Sequence, residues 1–167
     1  MVYIGIGSNL GNRIRYIENS KYLLKFYGID IVRSSSYYET LSWPDSTKPK
    51  FINIVIQSNT KFSPKKLLKI FKIIENKLGR IKSSRNSPRT CDIDLISYRN
   101  KIISNNITIP HKRMRKRNFV LFPLFEVAPY WTDPKSKKSI KKLIFSLPIK
   151  DITSIKQMWY NGILLKC

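Results

Sequence analysis

Two kinds of apolar spacing alternate along this chain, and their order restricts the fold more than any single residue does. Val2 to Gly7 is an apolar run of strand length, and Leu10 to Phe26 then sets Leu10, Ile14, Ile17 and Leu24 at helical spacing until Gly28 stops the helix. Ile29 to Glu39 is β-branched and tyrosine-rich. After a turn region at Trp43-Pro44-Asp45, Phe51 to Ser58 alternates strictly, so both stretches read as strands. Ser63 caps a second helix with Pro64 at its first position, and Leu67, Phe71, Ile74 and Leu78 recur every three or four residues until Gly79. A polar loop from Ile81 to Pro88 leads to a further strand, Cys91 to Tyr98. The order β-α-β-β-α-β predicts a ferredoxin-like α+β fold: an antiparallel sheet with both helices on one face and the other face free. Arg117 to Val127 predicts a third helix, with Val120, Leu121, Leu124 and Val127 on one side and Pro123 bending it. The short apolar pieces Leu143 to Leu147 and Ile163 to Leu165 supply extra C-terminal elements that close the core.

At 167 residues, 42% of them hydrophobic, the chain suits one domain spanning 1–167. It shows no leader pattern and no apolar run near the ~20 residues of a membrane span, so a cytoplasmic protein with no membrane partner is expected. Cys91 and Cys167 belong to no C-x-x-C or zinc-spaced set, and both read as reduced. Thirty-two Lys plus Arg against ten Asp plus Glu give a formal net charge of +22. Such a field attracts anions, from polyphosphate to nucleic acid. Alanine occurs only once while Ile, Lys and Asn crowd every segment, the mark of an AT-rich coding sequence. Many surface lysines therefore need no partner but solvent.

The chemistry concentrates around Asp92-Ile93-Asp94. Residues two apart on a strand point to one face with Cα atoms about 6.6 Å apart, a spacing that suits hard cations clamping a polyphosphate. Arg80, Lys82, Arg85 and Arg89 precede the pair, and His111, Arg113, Arg115 and Arg117 follow it. Arginine's planar fork matches phosphate oxygens and stays charged at any working pH. His111, the only histidine, follows the strand-like run Ile107 to Ile109 and is a candidate phosphate donor. In the strand at Phe51, Ile52, Ile54 and Ile56 share one face while Phe51 and Asn53 share the other, presenting an aromatic ring and an amide suited to a heterocycle. The glycine-rich opening Gly5-Ile6-Gly7-Ser8-Asn9-Leu10-Gly11 has neither G-x-G-x-x-G spacing nor a P-loop lysine, and reads as a tight turn with Ser8 or Asn9 capping the first helix.

Taken in order, these segments resemble the 6-hydroxymethyl-7,8-dihydropterin pyrophosphokinase family from about Tyr3 to Pro129. The matching motifs are Gly7 to Arg13, Tyr38-Glu39-Thr40, Phe51-Ile52-Asn53, Ile74 to Arg80, Ser87 to Asp94, Ile109 to His111 and Arg117 to Pro129. The resemblance implies transfer of pyrophosphate from ATP to the pterin hydroxymethyl group in folate biosynthesis, with AMP leaving. It assigns two Mg²⁺ ions to Asp92 and Asp94, beside the catalytic arginines Arg80 and Arg89. It assigns nucleotide and phosphate contacts to Glu75, Lys82, Thr108, His111 and Arg117, and the pterin pocket to Thr40, Leu41, Trp43, Phe51, Asn53 and Phe119. Phe51 and Phe119 would sandwich the ring and Asn53 would read its edge. Between Asp92 and Asp94 as acceptor of the hydroxyl proton the sequence does not choose.

Departures from the family pattern cluster in the loop Ile81 to Pro88, which in the family closes over the substrates. Asn86 and Ser87 stand in place of Trp-Gly, which implies an active enzyme with weaker pterin binding, and Lys82 stands where Arg is commoner. A basic ferredoxin-like nucleic-acid-binding module shares the element order, but the aromatic run of an RNA-recognition motif is missing. A decayed pyrophosphokinase serving as a scaffold would not need Asp92, Asp94, Arg89, Asn53 and His111. A monomer acting on small molecules, with no specific nucleic-acid partner, is expected.

Overall fold

The computed structural model describes residues 1–42, 45–81 and 87–158. In chain order the elements are β1 (Val2–Ser8), α1 (Arg13–Phe26), β2 (Asp30–Ser34), β3 (Tyr37–Thr40), β4 (Phe51–Asn59), α2 (Pro64–Lys77), β5 (Asp92–Tyr98), α3 (Asn118–Val127), α4 (Ile140–Phe145), α5 (Ile149–Thr153) and β6 (Lys156–Met158). The sheet runs β5-β1-β4-β3-β6, every neighbouring pair is antiparallel, and β2 also pairs with β4. This is the ferredoxin-like arrangement the spacing predicts.

The stretch Ile29 to Glu39, expected as one strand, is broken in two. β2 pairs with the end of β4 from Ile56 to Asn59 and β3 with its start from Phe51 to Asn53. The break has a local cause in the serine run. The Ser35 hydroxyl accepts from the Val55 amide at 3.0 Å, and the Glu126 carboxylate of α3 accepts from the Ser36 amide at 2.9 and 3.0 Å, diverting the backbone from the ladder.

α1 and α2 pack on one face against Val2, Ile4, Ile6, Ile52, Ile54, Ile56, Ile93 and Leu95. Strict alternation on three adjacent strands makes this face continuous. α2 starts as predicted, with the Ser63 hydroxyl accepting from the Lys66 amide and Pro64 at its first turn, and Gly79 follows it at φ +76°. α1 starts three residues later than expected. Its cap is Asn12, whose side chain accepts from the Arg15 amide, so neither Ser8 nor Asn9 caps it. Gly5 and Gly7 lie inside β1 rather than in a turn; only Gly11, at φ +65°, takes a turn conformation that favours glycine.

The second face of the sheet is not free. α3 lays Val120, Leu121, Leu124 and Val127 over Tyr3, Val55 and Ile96, and α4 adds Ile140 and Leu143. A sheet face carrying Tyr3, Val55 and Ile96 is too apolar to stay wet, and the C-terminal helices bury it. They cover only that half. The other half of the face, over Gly5, Gly7, Phe51, Asn53, Asp92 and Asp94, is left as the floor of a cleft. Ile163 to Leu165 lie outside the described residues.

Candidate active site

The register of the three central strands builds the cleft. Gly7 of β1 pairs with Asn53 of β4 on one side and with Asp92 of β5 on the other, and Gly5 pairs with Asp94 one step along. Neighbouring strands lie about 4.8 Å apart, so Asn53 and Asp92 stand roughly 10 Å apart across a residue with no side chain. A Cβ on Gly7 would lie 2.7 Å from Asn53 Oδ1, and one on Gly5 would lie 3.3 Å from Ile96 Cδ1. The glycines are thus the cleft floor. Period-two spacing of Gly5 and Gly7 within an apolar strand was the signal for this role, and a turn reading conceals it.

Asp92 and Asp94 both point into the cleft while Ile93 and Leu95 enter the core between and beyond them. Each carboxylate already faces cations. Arg80 lies 2.7 Å and Arg89 Nε 3.6 Å from Asp92, while Arg117 lies 3.4 Å and His111 Nε2 4.0 Å from Asp94. Arg80 is bracketed by Asp92 and Glu75, which hold its proton more tightly than usual against the opposing effect of burial. Burial lowers His111 below its ordinary value; Arg117 and Arg113 push the same way and Asp94 opposes them. The neutral ring accepts from the Arg113 amide at Nδ1, so its proton sits on Nε2, toward Asp94.

At the other end, Asn53 donates to Thr40 Oγ1 at 3.2 Å, a neighbour across β3 and β4 that fixes the direction of the amide. Phe51 and Phe119 both line the cleft, with Arg89 over the Phe51 ring at 5.7 Å and Arg117 over the Phe119 ring at 5.3 Å. Thr40 and Leu41 complete this wall. The cleft is open to solvent, and the space between its walls, solvent included, comes to about 650 Å³.

Three expected contacts are placed differently, and others fall outside the described residues. Glu75 is 1% exposed and lies behind β5, accepting from the Ile93 amide at 2.9 Å and pairing with Arg80 and with Lys72. It faces the arginine and not the cleft, because the last turn of α2 passes beneath β5; its place is that of a support. Thr108 is exposed in the segment after β5 and does not line the cleft. Arg115, read from sequence among the cations following the acid pair, instead grips Asp133 at 2.6 and 2.9 Å. Lys82, Arg85 and Trp43, with Asn86, lie outside the described residues. Sequence reasoning missed the role of Asn9, a buried amide just beyond β1 that hydrogen-bonds across to Arg89.

Two acids that suit a hard cation, guanidinium groups at hydrogen-bonding range and an aromatic platform on the same floor are equipment for moving phosphate groups between small molecules. The RNA-recognition reading fails here, because the sheet face such a domain would offer to RNA carries Asp92 and Asp94 and is half covered by α3 and α4. The fold and the cleft together define a ferredoxin-like sheet carrying the equipment for phosphate transfer.

The family model for 7,8-dihydro-6-hydroxymethylpterin-pyrophosphokinase (HPPK) matches residues 3–129, and the chain belongs to this family. It is 38% identical over 143 residues to the 2-amino-4-hydroxy-6-hydroxymethyldihydropteridine pyrophosphokinase of Synechocystis sp., covering 84% of this chain and 73% of that protein. It is 35% identical over 162 residues to the folic acid synthesis protein fol1 of Pneumocystis carinii, covering 96% of this chain but 22% of the fungal protein. The crystal structure of Plasmodium falciparum HPPK-DHPS superposes with a TM-score of 0.74 at 14% identity, over 95% of this chain and 47% of that one, which bears on the fold alone. The chain therefore spans under half the length of those two larger relatives. No helix among the described residues is long and apolar enough to cross a membrane.

Proposed function

We propose that this chain transfers pyrophosphate from ATP to 6-hydroxymethyl-7,8-dihydropterin in folate biosynthesis, releasing AMP. The observation that carries the reading is the row Asn53-Gly7-Asp92, which sets a heterocycle-reading amide and a cation-holding acid on one floor with only a glycine between. A ring held at Asn53 can then extend its hydroxymethyl group toward phosphate held at Asp92.

Asp92 and Asp94 are the residues that would hold two Mg²⁺ ions. The donor set fits. Both are hard oxygen ligands of the kind magnesium takes one or two at a time, and phosphate and water would supply the rest. Beside them the buried Arg89 Nε has no hydrogen-bond partner among the described residues, Asp92 being 3.6 Å away, and is a donor free to meet a phosphate oxygen. Bound magnesium would supply charge neutralisation and polarisation of the triphosphate.

The remaining work belongs to the chain. Arg80, Arg89, Arg117 and His111 hold phosphate oxygens, joined by Lys82. Phe51 and Phe119 sandwich the pterin, Asn53 reads its edge with Thr40 orienting the amide, and Leu41 and Trp43 close the pocket. Holding both substrates in line converts a bimolecular attack into a local one. The hydroxymethyl oxygen forms a bond to the β-phosphorus as the bond from that phosphorus to the AMP oxygen breaks. The hydroxyl proton passes to Asp92 or Asp94, and the guanidinium groups offset charge on the departing AMP. Thr40, Leu41, Phe51, Asn53, Arg89, Asp92, Asp94, Arg117 and Phe119 line one cleft of one chain, which supports a monomer acting on small molecules; a cytoplasmic setting with no specific nucleic-acid partner is part of the same proposal.

The test is chromatographic detection of AMP from purified protein given ATP, Mg²⁺ and the pterin. Wild type is expected to release AMP only when the pterin is present, and Asp92→Ala is expected to lose activity by on the order of 10³-fold with its fold intact. Pterin-independent AMP release, or wild-type turnover by Asp92→Ala, would remove the reading.

A further inference from the structure

Asn9 is 3% exposed and contributes no atom to the cleft, yet its polar groups connect both ends of it. Its backbone amide donates to the Arg89 carbonyl at 3.1 Å, and its side-chain Oδ1 accepts from the Arg89 amide at 2.8 Å. The other end of the same carboxamide, Nδ2, donates to the Pro49 carbonyl at 3.1 Å and to Ser42 Oγ at 3.4 Å. Ser42 in turn donates to the Pro49 carbonyl at 2.6 Å. Ser42 and Pro49 stand at the two ends of the connection from β3 to β4. Leu41 precedes that connection and Phe51 follows it.

A carboxamide offers donors at one end and an acceptor at the other without carrying charge. Here one end holds the backbone of an arginine from the acid-pair side, and the other holds the loop that carries the aromatic side. Helix capping would have been a simpler use for this residue, but Asn12 performs it. Asn9 is also not an accident of surface packing, since a buried amide whose partners were absent would cost stability, and all its partners are backbone or hydroxyl groups at fixed positions.

We propose that Asn9 is a positioning residue that sets the distance between the pterin half and the phosphate half of the site. This rests on the pyrophosphokinase reading. The two arms of the amide are separable by substitution. Asn9→Asp keeps an oxygen for the Arg89 amide and replaces the donor toward Pro49 with a second oxygen, so only the loop arm is broken. Asn9→Ala breaks both. Ser42→Ala removes the neighbouring hydroxyl and leaves the arm to Arg89 intact.

Steady-state AMP release with each substrate varied in turn, alongside thermal melting, tests the assignment. Asn9→Asp is expected to raise the pterin KM about 3- to 10-fold, the worth of one hydrogen bond, while the ATP KM stays within about twofold of wild type. Ser42→Ala should move in the same direction by a smaller factor, and Asn9→Ala should raise both KM values and lower kcat. If Asn9→Ala fails to fold, Asn9→Asp and Ser42→Ala still decide the matter. A lowered melting temperature with unchanged KM values in Asn9→Asp, or equal rises in both, would overturn the proposal and leave Asn9 a structural residue. Wild-type protein that releases no AMP would instead sink the activity itself, and this inference with it.

Discussion

Replacing Gly7 by alanine puts a methyl carbon 2.7 Å from Asn53 Oδ1 and 3.5 Å from the Phe51 ring, in the middle of the cleft floor. The first distance is several tenths of an ångström too short for a carbon–oxygen contact. Asn53 is the neighbour able to give, because β1 is pinned between β4 and β5 along its whole length. A rotated Asn53 loses its 3.2 Å hydrogen bond to Thr40 and misaims the amide that meets the ring. One neutral hydrogen bond and one misdirected polar contact amount to about 1–2 kcal/mol, a factor of roughly 5–30. The pterin KM should therefore rise by that factor while the ATP KM changes little, as measured by AMP release at varied pterin. Gly5→Ala is the control. Its methyl lies 3.3 and 3.5 Å from Cδ1 and Cγ1 of Ile96, the movable end of an aliphatic chain, and 4.0 Å from the Asp94 carbonyl oxygen, so a milder effect is expected. Equal pterin KM values for wild type and Gly7→Ala would refute the claim that the row from Asn53 to Asp92 needs an empty centre.

Glu75→Ala leaves the Ile93 amide and the inner side of Arg80 without an acceptor beneath β5, and should cost about 3 kcal/mol, roughly 6–12 °C in Tm by calorimetry; a shift below about 2 °C would argue against its supporting role. Burial alone would raise Asp133, but hydrogen bonds from Arg115 and Ser136 outweigh it and hold the carboxyl down to about 2. A depressed carboxylate stabilises the fold above its unfolded value and ceases to do so as pH falls through its folded value. Urea melts should accordingly show wild type losing up to about 2 kcal/mol more than Asp133→Asn between about pH 4 and pH 2, and parallel acid profiles would contradict this. Asn86→Trp, restoring the indole of the family's loop, is expected to lower the pterin KM; an unchanged or higher value would refute the expectation that the missing indole weakens pterin binding.

The sequence is most legible where one periodicity rules. β4 and α2 can be read almost to the residue, because Ile52, Ile54 and Ile56, and Leu67, Phe71 and Ile74, all enter the same core. The two faces of β5 are equally plain, since Asp92 and Asp94 alternate with Ile93 and Leu95. The break between β2 and β3 was hidden because it depends on Glu126, some ninety residues away, reaching Ser36. Propensity in a single stretch carries no trace of such a partner. The burial of half the second sheet face was hidden for a related reason: α3 and α4 are short, and their destination follows from the apolar patch that Tyr3, Val55 and Ile96 make only once the strands are side by side. Among the site residues, charge and spacing revealed the acids and their arginines, whereas Asn9 and Glu75 act through backbone amides and have no signature of their own.

The alternation along β5 and β4 has a use beyond explaining the cleft. Residues that line the cleft and residues that hold the sheet to α1 and α2 occupy the same strands but opposite sides, while Val55 and Ile96 hold α3 and α4 further along the cleft side. Randomising Phe51 and Asn53 as a library would therefore explore new heterocycles without altering the side of β4 that packs on α1 and α2, which makes this strand a natural starting point for redirecting the proposed activity to other alcohols.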